Sequence, residues 1–157
     1  CEDFKPEGEI FDNFLMNTVI PYVENNFPVC TDRQNVAICG SSSGGLMSFF
    51  SAVERHEKFG YAGVFSPAFL CYTREDWAKY LSTKIVENMP YLYIYTGNGD
   101  KLEEMIFEST EMLYELLEES FYPYDRMNEV ILFENAHNEK SWREIFPDFL
   151  HTFLSRL

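Results

Sequence analysis

The stretch Ala37-Ile38-Cys39-Gly40-Ser41-Ser42-Ser43-Gly44-Gly45-Leu46-Met47 constrains this chain more than any other, because apolar, small and again apolar residues follow one another in that order. The first part reads as a strand, Asn35 to Cys39. Leu46, Met47, Phe49, Phe50 and Val53 read as a short apolar helix that stops near His56. The small residues between them match G-x-S-x-G, a strand-to-helix turn so tight that glycine is wanted two positions before and two after the serine. Gly40 and Gly44 thereby select Ser42 as a candidate nucleophile. A frame one residue later would make it Ser43, flanked by Ser41 and Gly45, and would leave Gly40 without a purpose. The frame before it would put Cys39 in the turn. The competing reading is a structural Gly/Ser turn, or one that cradles a phosphate on its backbone N–H groups. No Lys-Ser or Lys-Thr follows the glycines and G-x-G-x-x-G is absent, which argues against a nucleotide loop.

The rest of the chain alternates helix and strand. Apolar residues from Ile10 to Val23 form the stripe of an amphipathic helix over Glu9 to Asn26, in which Pro21 removes one backbone donor and predicts a kink. Tyr61 to Phe65 is a second strand, entered through Gly60 and left through Ser66-Pro67. Thr73 and Asp76 form a capping signal for a helix through Trp77, Leu81 and Ile85. Tyr91 to Thr96 is a third strand in which tyrosines alternate with aliphatic residues, and Lys101 to Ser120 is a helix with glutamates on its outer face. Glu129 to Glu134 is a fourth strand, followed by a histidine-bearing loop and a final helix from Ser141. Such alternation predicts an α/β sandwich of three layers, a mostly parallel sheet between helices.

Length and composition bound the possibilities. The 157 residues, 46% of them hydrophobic, suffice for one domain with a sizeable core. Twelve basic residues against 26 acidic ones argue against a nucleic-acid or anionic-membrane partner. No apolar run reaches the roughly 18 residues of a membrane span, and no signal peptide opens the chain. Cys1, Cys30, Cys39 and Cys71 sit at unrelated spacings, which predicts neither a zinc site nor a disulfide framework but reduced thiols in a cytoplasmic protein. A start at Cys1 rather than methionine suggests that sequence precedes it.

Two further residues fall where chemistry collects, at the carboxyl ends of parallel strands. Asp100 lies beyond the third strand in Gly97-Asn98-Gly99-Asp100, and His137 beyond the fourth. Asp100 could instead cap the next helix, with Glu103 completing a capping box, and Glu103 and Glu104 are the acids to test if it does. His137 could be a surface loop histidine. Of the three histidines, His56 and His151 sit on polar helix positions and read as solvated. The order Ser42, Asp100, His137 is that of an α/β-hydrolase triad.

The chain resembles the putative-esterase branch of the α/β-hydrolases, which includes enterochelin esterase, feruloyl esterases, S-formylglutathione hydrolase and the mycolyltransferases. The resemblance runs from Val19-Ile20-Pro21-Tyr22-Val23 through the Ser42 turn and Phe59-Gly60-Tyr61-Ala62-Gly63-Val64-Phe65-Ser66-Pro67 to Ala136-His137-Asn138-Glu139-Lys140-Ser141-Trp142-Arg143. The histidine with a tryptophan five positions on is the most specific of these matches. It implies Ser42 as nucleophile, His137 as general base, Asp100 as the acid, and the backbone N–H of Ser43 as one oxyanion donor, with no cofactor. It also implies that the four readable strands are the C-terminal half of the hydrolase sheet, residues 1–157 forming a truncated domain. The expected function is hydrolysis of a small ester through an acyl-enzyme. The alternatives are transfer of the acyl group to another acceptor, a weak or inactive piece that binds a partner, and a carbohydrate-binding module suggested by the 17% aromatic content. Because the elbow strand is central in that fold, the chain is expected to self-associate, or to dock onto the missing half, along that strand.

Overall fold

The computed structural model describes residues 6–156. Its centre is a sheet of four parallel strands in the spatial order β1 (Ala37–Ser41), β2 (Tyr61–Phe65), β3 (Tyr91–Gly97), β4 (Met127–Leu132). The connecting helices are α3 (Ser43–Glu54), α4 (Arg74–Leu81) and α5 (Lys101–Glu119). A right-handed crossover repeated in one direction across a sheet leaves every connecting helix on the same face. All three accordingly share one core: Phe49 and Val53 of α3, Trp77 and Leu81 of α4, and Leu113 and Leu117 of α5 meet Leu92 and Ile94 of β3. The helix α6 (Glu139–Leu154), which leads to no further strand, covers the opposite face.

The alternation along β3 decides what each face receives. Leu92 and Ile94 point into the first core, whereas Tyr91, Tyr93 and Tyr95 point to the second, where Phe65, Ile145 and Phe149 meet them. Tyr93 and Tyr95 keep a polar contact at the hydroxyl tip, and Tyr91 meets a cation over its ring. Tyr93 donates to Asp148 Oδ2 at 2.5 Å, Asn135 Nδ2 donates to the Tyr95 hydroxyl at 3.0 Å, and the Arg156 guanidinium lies 4.0 Å from the Tyr91 ring centroid. In the first core Trp77 is fully buried and donates its Nε1 hydrogen to the Phe69 carbonyl at 3.1 Å. Burial of each such large side chain contributes about 1.5–3 kcal/mol.

Several element boundaries differ from expectation. The first helical region is continuous through α1 (Pro6–Phe14), a π turn (Leu15–Val19) and α2 (Ile20–Asn26). The kink expected at Pro21 is therefore a widened turn just before it, in which Ile20 donates to the Leu15 carbonyl, five residues back. The strand β1 starts at Ala37 rather than Asn35, because Arg33–Asn35 close a 3₁₀ turn. The fourth strand ends at Leu132, and the chain turns through Glu134 at φ 71° before the histidine loop. The capping box of Thr73 and Asp76 forms as expected, but α4 stops at Leu81, short of Ile85. Cys30, Cys39 and Cys71 are free and exposed, and Cys1 lies outside the described residues. Among the described residues, no helix is long and apolar enough to cross a membrane.

Candidate active site

The turn after β1 holds Ser42 at φ 58°, ψ −122°, a conformation that side chains other than glycine rarely adopt. It is secured from both sides. The Ser42 N–H donates to the Phe65 carbonyl at 2.9 Å, and the Ser42 carbonyl accepts from Leu46 and Ala68, each at 3.1 Å. A Cβ at Gly40 would lie 2.5 Å from the Gly44 carbonyl oxygen, so the first glycine of the motif is required by space. Gly44 is different: a Cβ there meets nothing within 4 Å. The close approach beneath the turn belongs to Gly45, whose Cβ would stand 2.8 Å from the Phe65 carbonyl oxygen. Ser43 opens α3, and as a first-turn residue its amide has no carbonyl four positions back to bond within the helix.

The loops after β3 and β4 are clasped by one backbone–backbone bond and one from backbone to side chain. Gly99 donates to the Asn135 carbonyl at 2.8 Å, and the Glu134 amide donates to Asn98 Oδ1 at 3.0 Å. A Cβ on Gly97 or Gly99 would come within 2.2 Å of the Asn135 or Glu134 carbonyl oxygen respectively, so both glycines permit the clasp. This arrangement carries His137 to the end of β1. Its Nε2 lies 2.9 Å from Ser42 Oγ, across a separation of 95 residues in the chain.

The acid beside the ring is Glu103, not Asp100. Asp100 Oδ1 accepts from the Leu102 and Glu103 amides, both at 2.9 Å, and so caps α5, while Oδ2 accepts from the backbone N–H of His137 at 2.8 Å. It therefore ties the loop and does not orient the imidazole. The Glu103 and His137 amides hold its carboxyl below the usual carboxylate range. With the cap occupied, Glu103 does not reach back to complete a box. Its side chain turns inward, fully buried, and presents Oε2 to His137 Nδ1 at 2.7 Å.

The other oxygen, Glu103 Oε1, accepts from the Gly97 amide at 2.8 Å and the Ser66 hydroxyl at 2.6 Å. An ionised carboxylate only accepts, and each of these partners can donate. Nδ1 thus carries the imidazole hydrogen, which leaves Nε2 free to accept from the Ser42 hydroxyl. Trp142 closes the set: its Nε1 donates to Ser66 Oγ at 2.9 Å, and its ring stands edge-on to His137 with centroids 5.1 Å apart. Sequence reasoning brought Ser42 and His137 together, placed Asp100 in a different role, and took Ser66 only as the exit of a strand. Ser66 could have been found by its place at the carboxyl end of β2, beside the ends of β1 and β3.

Two depressions mark the surface. The larger, about 610 Å³, is lined by residues such as Leu81, Val86 and Phe121 and contains none of the residues above. The other, about 440 Å³, runs along Gly40, Ser41 and Phe65 against Trp142, Arg143, Phe146 and Pro147 of α6, next to the turn.

Residues 5–153 match the family described as Putative esterase. A 107-residue stretch is 32% identical to an endo-1,4-β-xylanase/feruloyl esterase of Xylanibacter ruminicola, covering 68% of this chain and 13% of that protein. Among solved structures, enterochelin esterase from Shigella flexneri superimposes with a TM-score of 0.76 at 17% identity, over 91% of this chain and 36% of that one. A ferulic acid esterase from Anaeromyces mucronatus gives 0.68 at 21% identity, over 96% of this chain and 57% of the other. These structural likenesses establish the fold, and this chain spans about a third to three-fifths of the length of those two neighbours.

Proposed function

Because this chain belongs to the putative esterase family, we propose that it carries the nucleophile, base and acid of a serine carboxylic-ester hydrolase, with Ser42, His137 and Glu103 in those roles. The observation that supports this reading is the unbroken line from Ser42 Oγ through His137 Nε2 and Nδ1 to Glu103 Oε2, at 2.9 and 2.7 Å. His137 takes the hydroxyl proton as Ser42 Oγ attacks the ester carbonyl, and Glu103 stabilises the imidazolium that forms. The same proton passes to the leaving alcohol as the acyl-enzyme is made. Water then gives up a proton to His137, attacks the acyl carbon and releases the acid. The Ser43 N–H serves as one oxyanion donor, at the N-terminus of α3 where the helix dipole favours negative charge. An alcohol in place of water at the second step would make the same site an acyltransferase.

The substrate is a small ester. Esters of ferulic acid are the first to test, because ferulic acid esterases occur among the relatives in both sequence and structure. The test is a fluorophosphonate probe followed by peptide mapping, together with turnover of a p-nitrophenyl ester and methyl ferulate. An adduct on Ser42 that vanishes in Ser42→Ala is expected. Labelling on Ser43, or labelling unchanged in Ser42→Ala, would overturn the assignment.

A partner-binding role along β1 is the second reading. Among the described residues β1 pairs only with β2, and its other edge leaves amide and carbonyl groups without strand partners. We propose that a further part of a hydrolase sheet, or a second copy of this chain, pairs there. Light scattering that finds only monomer at micromolar concentration, with a cooperative melt, would overturn self-association.

A further inference from the structure

We propose that Ser66 and Trp142 are positioning residues of this site, acting together to fix the carboxylate of Glu103. The inference rests on the triad reading above.

The first observation is a directional chain of donors. An indole N–H can only donate, so Ser66 Oγ must accept from Trp142 Nε1, at 2.9 Å. The single hydrogen of the hydroxyl is then free for Glu103 Oε1, at 2.6 Å. Together with the Gly97 amide at 2.8 Å, this gives Oε1 two donors and leaves Oε2 to His137 alone. A glutamate has three side-chain torsions, and without these partners its carboxylate could rotate away from the imidazole.

The second observation is the backbone of Ser66. It is fully buried at φ 41°, where glycine would sit with less strain. The position nevertheless carries a hydroxyl. A residue held in a costly conformation at a site of chemistry points to what its side chain does there.

The third is that Trp142 acts on two members of the network at once. Its indole N–H orders Ser66, and its ring stands at 90° to His137. The imidazole is therefore held through its ring edge by Trp142 and through Nδ1 by Glu103, and the same tryptophan positions the hydroxyl that positions Glu103.

The test compares Ser66→Ala, Ser66→Gly and Trp142→Phe with wild type in three measurements: fluorophosphonate labelling rate at Ser42 against pH, thermal melting, and imidazole ¹⁵N NMR of His137. Losing a hydrogen bond to the charged carboxylate is expected to slow labelling about tenfold or more. With Glu103 no longer held against Nδ1, its charge stabilises the imidazolium less, so the acid limb of the pH profile moves to lower pH. A purely structural role would not move that limb. Ser66→Gly relieves the backbone, so it is expected to melt close to wild type while still labelling slowly. Trp142→Phe keeps the aromatic edge on His137 and removes only the donor, which keeps the inference testable if the alanine variant does not fold. Labelling within twofold of wild type, an unmoved acid limb and unchanged His137 resonances in Ser66→Gly and Trp142→Phe would overturn it. Wild-type labelling that is unaffected by His137→Ala would instead overturn the triad on which it rests.

Discussion

The corner where β2, β3 and β4 end and the two outer edges of the sheet are built on opposite principles. At the corner, Glu103 and Ser66 are completely buried, and both Glu103 oxygens and the Ser66 hydroxyl are hydrogen-bonded. At the edges this closure is missing. The strand β1 is half-buried with Cys39 exposed, and on β4 the Glu129 carboxyl faces Glu111, with one oxygen buried and unbonded. Two buried or half-buried carboxylates thus meet opposite surroundings: one is surrounded by donors and the other by a like charge. His137 and Glu103 are thus held by groups that already have their partners within β2 to β4 and the loops that follow them.

The largest effect that would break this comparison is in the corner. His137→Ala is expected to abolish turnover, and Glu103→Gln to lower it by about 10³–10⁴, because it removes the charge that stabilises the imidazolium. Asp100→Asn keeps the cap through its one oxygen but turns a donor toward the His137 N–H and loses that tie, so it is expected to cost about tenfold, less than Glu103→Gln. Steady-state kinetics on one ester separates them, and a larger loss in Asp100→Asn than in Glu103→Gln would reverse the assignment.

Next are the two glycines that follow the Ser42 turn. Gly45→Ala must push against the Phe65 backbone and is expected to cost about 1–3 kcal/mol in urea unfolding, whereas Gly44→Ala, with open space around it, should be near neutral. Equal destabilisation would mean that something else packs on Gly44.

A smaller effect is expected at Glu129. Burial, and then Glu111, push this carboxyl up to about 7. Between the ordinary value of about 4.5 and that raised value the folded chain binds more protons than the unfolded one, so stability falls as pH rises through this window. The side chain is only partly buried, so Glu129→Gln should add no more than about 1–2 kcal/mol at pH 8 and almost nothing at pH 4. A stability curve that rises from pH 5 to 7 and is unaltered by the substitution would contradict this.

The smallest effect on the folded chain itself is expected at β1. Cys39→Lys places a charge on an exposed position of an edge strand, where it opposes strand addition. Monomer stability should shift by no more than about 0.5 kcal/mol, while the mass seen by light scattering falls toward that of one chain. Unchanged association would move the interface elsewhere.

Reading the chain alone was most successful where a pattern repeats or a local rule is strict. The alternation of Tyr91, Tyr93 and Tyr95 with Leu92 and Ile94 predicted a strand with two packed faces, and both faces are packed. Gly40 before Ser42 was legible because no side chain fits there. His137 was legible because a parallel strand must deliver its next loop to the same end of the sheet as the others. The importance assigned to Gly44 over Gly45 was a misreading, since spacing says nothing about which face of the next turn meets β2.

Local sequence therefore determined the alternating strands and helices, the strained turn at Ser42 and the end of the sheet at which His137 would emerge. The choice between Asp100 and Glu103 was not available at that level, because both stand at the start of the same helix and either can cap it. Tertiary structure made the choice. Once Asp100 Oδ1 is taken by the first-turn amides and Oδ2 by the His137 backbone, the only buried carboxylate facing Nδ1 among the described residues is that of Glu103, held by the Gly97 amide at the end of β3 and by the Ser66 hydroxyl just past β2, 37 residues away. A side chain's rotamer is set by the partners available to it in space, and those partners exist only after the strands have paired.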